Sequence, residues 1–99
     1  MKSYGKSKMD SFSEHQINLD AECTVQIDAD HIKIKYKQDG EHYSYTGSSI
    51  GPGHYNLHCD GYPECRATLH CFEDSKVLEG SWREEQSQGM WRIRLIGEN

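Results

Sequence analysis

The residues best equipped for chemistry in this sequence are cysteines and histidines within one stretch: His58-Cys59, then Cys65, then His70-Cys71. Thiolate and imidazole groups are zinc ligands, and zinc sites gather several of them around one point, commonly from tight Cys-x-x-Cys knuckles. The sequence holds no such knuckle. Read as one strand, Cys65 to Cys71 separates its two thiols by about 20 Å, at ~3.3 Å per residue, so they cannot share an ion. His58 and His70 fall on the face opposite the cysteines. A smaller metal site of Cys59 and Cys65 survives, because directly opposed residues bring their Cβ atoms to about 5 Å. The same two residues also read as small buried apolar side chains or as a labile disulfide. His54 and His70, opposite each other on the outer face, could hold a metal adventitiously, act as a pH-sensitive pair, or stand as solvated polar residues.

A second group is aromatic. Tyr36, Tyr43, Tyr45, Tyr55, Trp82 and Trp91 all fall on the inward face of their segments. Such rings can line a pocket for a small apolar or planar ligand, with tyrosine hydroxyls orienting it. They can equally fill a small barrel, although buried tyrosines then require hydrogen-bond partners or water.

Catalytic motifs are lacking. No serine sits in a Gly-x-Ser-x-Gly elbow, no His-Glu-x-x-His pattern occurs, and no glycine-rich loop leads from strand to helix. The carboxylates concentrate at hairpin tips and strand ends, where Asp and Glu serve turn chemistry. A small enzyme using tyrosine, histidine or carboxylate groups at a barrel mouth is a third class of reading, with no residue selected for it.

The elements that carry these residues read as strands. Leu78–Leu95 is the clearest hairpin, with both arms alternating apolar and polar residues around a polar tip, Glu85–Gln88. A four-residue tip pairs Trp82 with Trp91, Gly80 with Ile93 and Glu79 with Arg94. Upstream, a two-residue turn at Ala29-Asp30 pairs Ile27 with Ile32, Val25 with Ile34 and Cys23 with Tyr36. Asp39-Gly40 is a strong type I′ signal and pairs Tyr36 with Tyr43 and Ile34 with Tyr45. Ser48–Gly53 reads as a loop. His54–Cys59 and Cys65–Cys71 form a further hairpin, and a turn at Asp74-Ser75 sets Ala67 against Trp82. Phe12–Leu19 is the weakest strand. Residues 1–11 are polar, rich in Ser and Lys, and read as a flexible N-terminal tail.

Seven to eight strands with short links and no helical period predict an all-β, antiparallel up-and-down meander. It forms one domain over residues 12–99, closed or nearly closed into a small barrel, with a two-sheet β-sandwich as the alternative. An edge left open at the weak first strand would be free to pair with another chain. Strand count and meander order resemble those of calycin-like barrels, which implies an enclosed interior and assigns no residue. Lipocalins carry a Gly-x-Trp near their first strand, whereas Gly80-Ser81-Trp82 lies on the penultimate one here.

Composition bounds the partners. A net charge of -5 argues against nucleic acid, no apolar run reaches the length of a membrane span, and no leader-like apolar stretch follows the basic first residues. The expectation is a cytoplasmic monomer with reduced thiols and no cofactor. It would act as a non-enzymatic binding module for a small molecule, or alternatively as a packed protein-interaction domain.

Overall fold

The computed structural model describes residues 1–99 as eight antiparallel strands and no helix. They are β1 (Lys2–Ser13), β2 (Ile17–Ile27), β3 (His31–Gln38), β4 (Glu41–Gly51), β5 (His54–Cys59), β6 (Tyr62–His70), β7 (Val77–Glu84) and β8 (Ser87–Arg94). Each pairs with its neighbour in sequence, and β1 also pairs with β8, so the sheet closes into a barrel. The sandwich alternative is thereby excluded, and closure leaves no free edge at the first strand.

The turns explain the central registers. Asp39 and Gly40 both adopt positive φ, 52° and 83°, as a type I′ turn demands. That fixes Tyr36 opposite Tyr43 and Ile34 opposite Tyr45. Across β2 and β3, Ile27 faces Ile32, Val25 faces Ile34 and Cys23 faces Tyr36. Between β5 and β6, Tyr55 faces Leu69 and Leu57 faces Ala67, while Ala67 faces Trp82 on β7. All these pairings match the alternation of the sequence.

Four expectations need correction. The supposed tail is strand: Lys2–Ser13 forms β1, pairing with β2 on one side and, from Lys8 onward, with β8 on the other. Its pattern is broken by a register shift between Tyr4 and Ser7, and its inward residues include polar Ser7. Phe12–Leu19 is accordingly not one strand but the end of β1, a turn, and the start of β2. The Ser48–Gly53 loop shrinks to a turn at Pro52-Gly53, since β4 runs to Gly51. The β7–β8 turn is also tighter than four residues. Glu84 pairs with Ser87, Trp82 with Gly89, Gly80 with Trp91, and Glu79 with Arg92. The slip is two places, so every side chain keeps its face and changes its partner.

The core lies toward one end of the barrel. Val25, Ile32, Ile34, Leu69, Leu78 and Ile93 are fully buried there. That end is plugged by Tyr4 and Tyr55. The Tyr4 hydroxyl donates to Glu98 at 3.0 Å, and the Tyr55 hydroxyl donates to the Asp28 carbonyl at 2.7 Å. The C-terminal segment crosses beside the plug, where Lys6 N–H donates to the Ile96 carbonyl and Gly5 N–H to that of Gly97. On the outer face, buried Asp10 accepts the Asp20 backbone N–H at 2.9 Å and lies within 3.5 Å of both Arg92 and Arg94. This anchor holds β2 where Asp20 departs from strand geometry with φ 57°.

Candidate functional site

The opposite end of the barrel, where the β1–β2, β3–β4, β5–β6 and β7–β8 turns gather, is open. A cavity of about 630 Å³ enters there. Its floor is an aromatic contact across the lumen: Tyr45 on β4 meets Trp91 on β8 edge to face, with ring centroids 5.1 Å apart. The β4 and β8 walls lie on opposite sides of an eight-strand barrel, so these two rings separate the packed half from the open half.

From that floor a tyrosine ladder climbs one wall. Tyr45 and Tyr36 are stacked at 6.4 Å, Tyr36 and Tyr43 at 5.4 Å, and Tyr43 leads to Tyr62 at 6.1 Å. The alternation of β3 and β4 places the first three rings on one face, and the type I′ turn aligns them. Trp82 forms the facing wall, its indole N–H donating to the Met90 carbonyl at 3.2 Å. Trp91 is anchored in the same way to the Thr68 carbonyl, at 3.0 Å. Both indoles are therefore held by backbone acceptors, and their orientation does not depend on an occupant.

Of the six aromatics picked out in the sequence, Tyr36, Tyr43, Tyr45, Trp82 and Trp91 line this one cavity. Tyr55 does not; it plugs the far end. Tyr62 is a lining residue that strand alternation did not reveal, because it sits beside a register irregularity between His58 and Cys59. That irregularity also sets Cys59 opposite Tyr62 rather than opposite Cys65.

The phenols of Tyr36, Tyr43 and Tyr45 and the Cys59 thiol, which line the cavity, are held in their neutral forms. Burial pushes the Tyr36 phenol well above its usual value, with the Glu84 charge acting in the same direction. Tyr45 is raised by burial and by its 2.8 Å hydrogen bond with the Cys65 thiol. Tyr43 is raised first by the hydrogen bond its hydroxyl donates to Glu41 and then by burial. Burial pushes the Cys59 thiol up to about 12, reinforced by a hydrogen bond with Cys65. These groups keep their protons at neutral pH and offer neither a phenolate nor a thiolate.

All four cysteines are free, and no group of three or more His, Cys, Asp or Glu residues is arranged to hold a metal ion. His54 and His70 do meet on the outer face, with their Nδ1 atoms 2.7 Å apart. One ring donates and the other accepts, so each is the partner of the other. A wider depression, about 1110 Å³, lies over the outer side of β5–β8 against His58, Arg66, Arg83 and Met90. It is open to solvent and unenclosed, whereas the aromatic cavity has barrel walls on all sides.

Comparison with known proteins finds no family model, no curated protein and no solved structure that matches this chain. No helix is long and apolar enough to cross a membrane.

Proposed function

We propose that this protein is a non-enzymatic binding module, a monomeric barrel that takes a small planar or apolar ligand through its open end, in the manner of calycin-like barrels. The observation that carries the reading is the cavity of about 630 Å³, walled by five of the predicted aromatic side chains and floored by the Tyr45–Trp91 contact. Small-molecule sites commonly occupy roughly 300–1,000 Å³ and combine apolar walls with a few polar groups. The Tyr36 and Tyr62 hydroxyls and the Ser11 side chain offer such groups here. The upward shifts of Tyr36, Tyr43, Tyr45 and Cys59 favour binding over catalysis, because a nucleophile or general base near neutral pH needs the opposite shift.

The test is fluorescence titration with N-phenyl-1-naphthylamine, a neutral planar probe. Saturable enhancement is expected, retained in Tyr55→Phe at the far end and lost in Trp82→Ala with the fold intact by circular dichroism. Absence of saturable enhancement, or equal loss in both variants, would overturn the reading.

A second reading rests on the outer face. Ile17, Phe12 and Met90 face one another across β2, β1 and β8, and Ile17 and Met90 are exposed. A protein partner docking there would leave the cavity free. Sedimentation of Met90→Lys against the natural chain tests it, since only a contact through this row would lose self-association or a partner.

A further inference from the structure

We infer that the ligand of the open end is a small organic cation, an ammonium or other onium group carrying a planar or alkyl body. This inference rests on the cavity being a binding site and specifies what the site selects.

Two independent features converge on it. First, the walls are rich in aromatic rings, with Tyr36 stacked between Tyr43 and Tyr45. Tyr36, Tyr43, Tyr45, Tyr62, Trp82 and Trp91 all border the same space. Aromatic faces carry negative electrostatic potential, and tryptophan and tyrosine clustered around one space attract cations through it, most strongly where water is displaced. Second, the charged side chains that line the cavity have one sign, although Arg83 and His15 share the adjoining outer depression with Glu84 and Glu85. Asp39, Glu64, Glu84 and Glu85 are the only charged side chains bordering the cavity, and no Lys, Arg or His does so. None of the four carboxylates forms an ion pair: the acidic residues that do so elsewhere are Asp10, Glu14, Asp20, Glu22, Asp28, Asp60 and Glu98.

The asymmetry is local. Eleven Lys and Arg residues are present in the chain, yet all of them lie outside this lining. Each of the four carboxylates comes from a hairpin tip or an adjoining strand end: Asp39 from the β3–β4 turn, Glu64 from the start of β6, Glu84 from the end of β7 and Glu85 from the β7–β8 turn. Unneutralised charge around an opening focuses the field into it, concentrating cations and repelling anions. Below the rim, the lining has no Lys, Arg or His to offer an anion a charged partner. An anionic ligand would meet repulsion at the entrance and the wrong potential inside. A neutral ligand would gain the apolar contacts alone.

The experiment compares three probes sharing one naphthylmethyl body by isothermal titration: (naphthalen-1-ylmethyl)trimethylammonium, 1-naphthalenemethanol and 1-naphthaleneacetate. The cation is expected to bind about tenfold or more tightly than the alcohol, and the carboxylate more weakly than either. Glu64→Gln combined with Glu84→Gln, at exposed positions, should cut the ratio of cation to alcohol affinity severalfold. Raising ionic strength from about 0.02 M to about 0.5 M should likewise weaken the cation alone. If the three probes bind with equal affinity, the cavity is a site and the inference of a cation is wrong. If the alcohol binds and the cation does not, it is also wrong. If none binds, the binding function itself fails.

Discussion

Trp91 lies directly opposite Gly80, and its indole N–H donates to the Thr68 carbonyl that a Cβ on residue 80 would strike. The neighbouring pair repeats the arrangement in reverse: Trp82 faces Gly89, and a Cβ there would collide with the Trp82 ring and the Phe12 carbonyl. Trp82 thus occupies space vacated by Gly89, while Gly80 lets the Thr68 carbonyl that anchors Trp91 approach closely. Gly80→Ala and Gly89→Ala should each destabilise the fold by about 1–3 kcal/mol, the usual cost of overpacking a closed interior. Gly5→Ala, with open space at the corresponding position, is the control and should change little. Urea denaturation reads all three; equal midpoints would contradict the packing account.

The same pair shows what the sequence made legible and what it did not. Alternation assigned Trp82 and Trp91 to the inside correctly, because a two-place slip preserves the face. It could not choose between a two-residue and a four-residue tip, since Glu85, Gln86, Ser87 and Gln88 are all polar. Only steric accounting, an indole over a glycine rather than over another indole, separates the two registers. The β2–β3 and β3–β4 hairpins were readable outright, because Asp39-Gly40 specifies its turn and apolar partners match on both sides. β1 was hidden for a physical reason: its inward positions include Ser7, Ser11 and Ser13, two of which line the cavity rather than the core. A strand that borders an open site need not carry an apolar stripe. Face alone placed five of the six cavity-lining aromatics inside the barrel; which end of the barrel each reached depended on strand ends and bulges that the pattern did not fix.

The thiols should report their burial directly. Desolvation pushes Cys23 up to about 12, only partly offset by the Lys8 charge, and Cys59 up to about 12. At pH 8 both should resist iodoacetamide in the folded protein and react at once in denaturant, because the thiolate is the reactive form. Cys71, the one cysteine that is only partly buried, should be alkylated first. Mass mapping that finds Cys23 or Cys59 modified ahead of Cys71 would contradict this packing.

Two turn carboxylates should give the fold an acid limit. The Asp28 carboxylate accepts the Asp30 and His31 backbone N–H groups at 2.8 and 2.7 Å, which hold its pKa below the ordinary value. Asp60 is lowered first by the hydroxyl of Ser44, with that of Thr46 adding to it, at 2.8 and 3.0 Å. Because both folded-state values are depressed, their stabilisation is complete above the unfolded value of about 3.9 and is lost as pH falls through the lower folded value. Asp28→Asn and Asp60→Asn should therefore lower Tm at pH 7 and progressively lose that effect as pH falls below the unfolded value of about 3.9. A Tm difference that stays constant across the range would contradict the assignment.

Arg66 on β6 faces Arg83 on β7 on the exposed side of the sheet, and neither carries an ion pair. Like charges directly opposite each other destabilise a sheet, and an opposite pair contributes about 0.2–1 kcal/mol. Arg83→Glu should raise stability by an amount of that order at low salt, with the gain shrinking as salt is added. A loss of stability would show that the two guanidinium groups are not in each other's field.

The most direct measurement follows the indole N–H signals of Trp82 and Trp91, the only two tryptophans, in nitrogen-15 NMR spectra during titration with 1-naphthalenemethanol. An open aromatic cavity above a packed core predicts that both signals shift along one saturable curve, while backbone signals around Tyr55 stay fixed at the plugged end. Two unmoved indole signals at the solubility limit of the probe, or shifts confined to the outer row of Ile17, Phe12 and Met90, would contradict the claim that this barrel binds through its mouth.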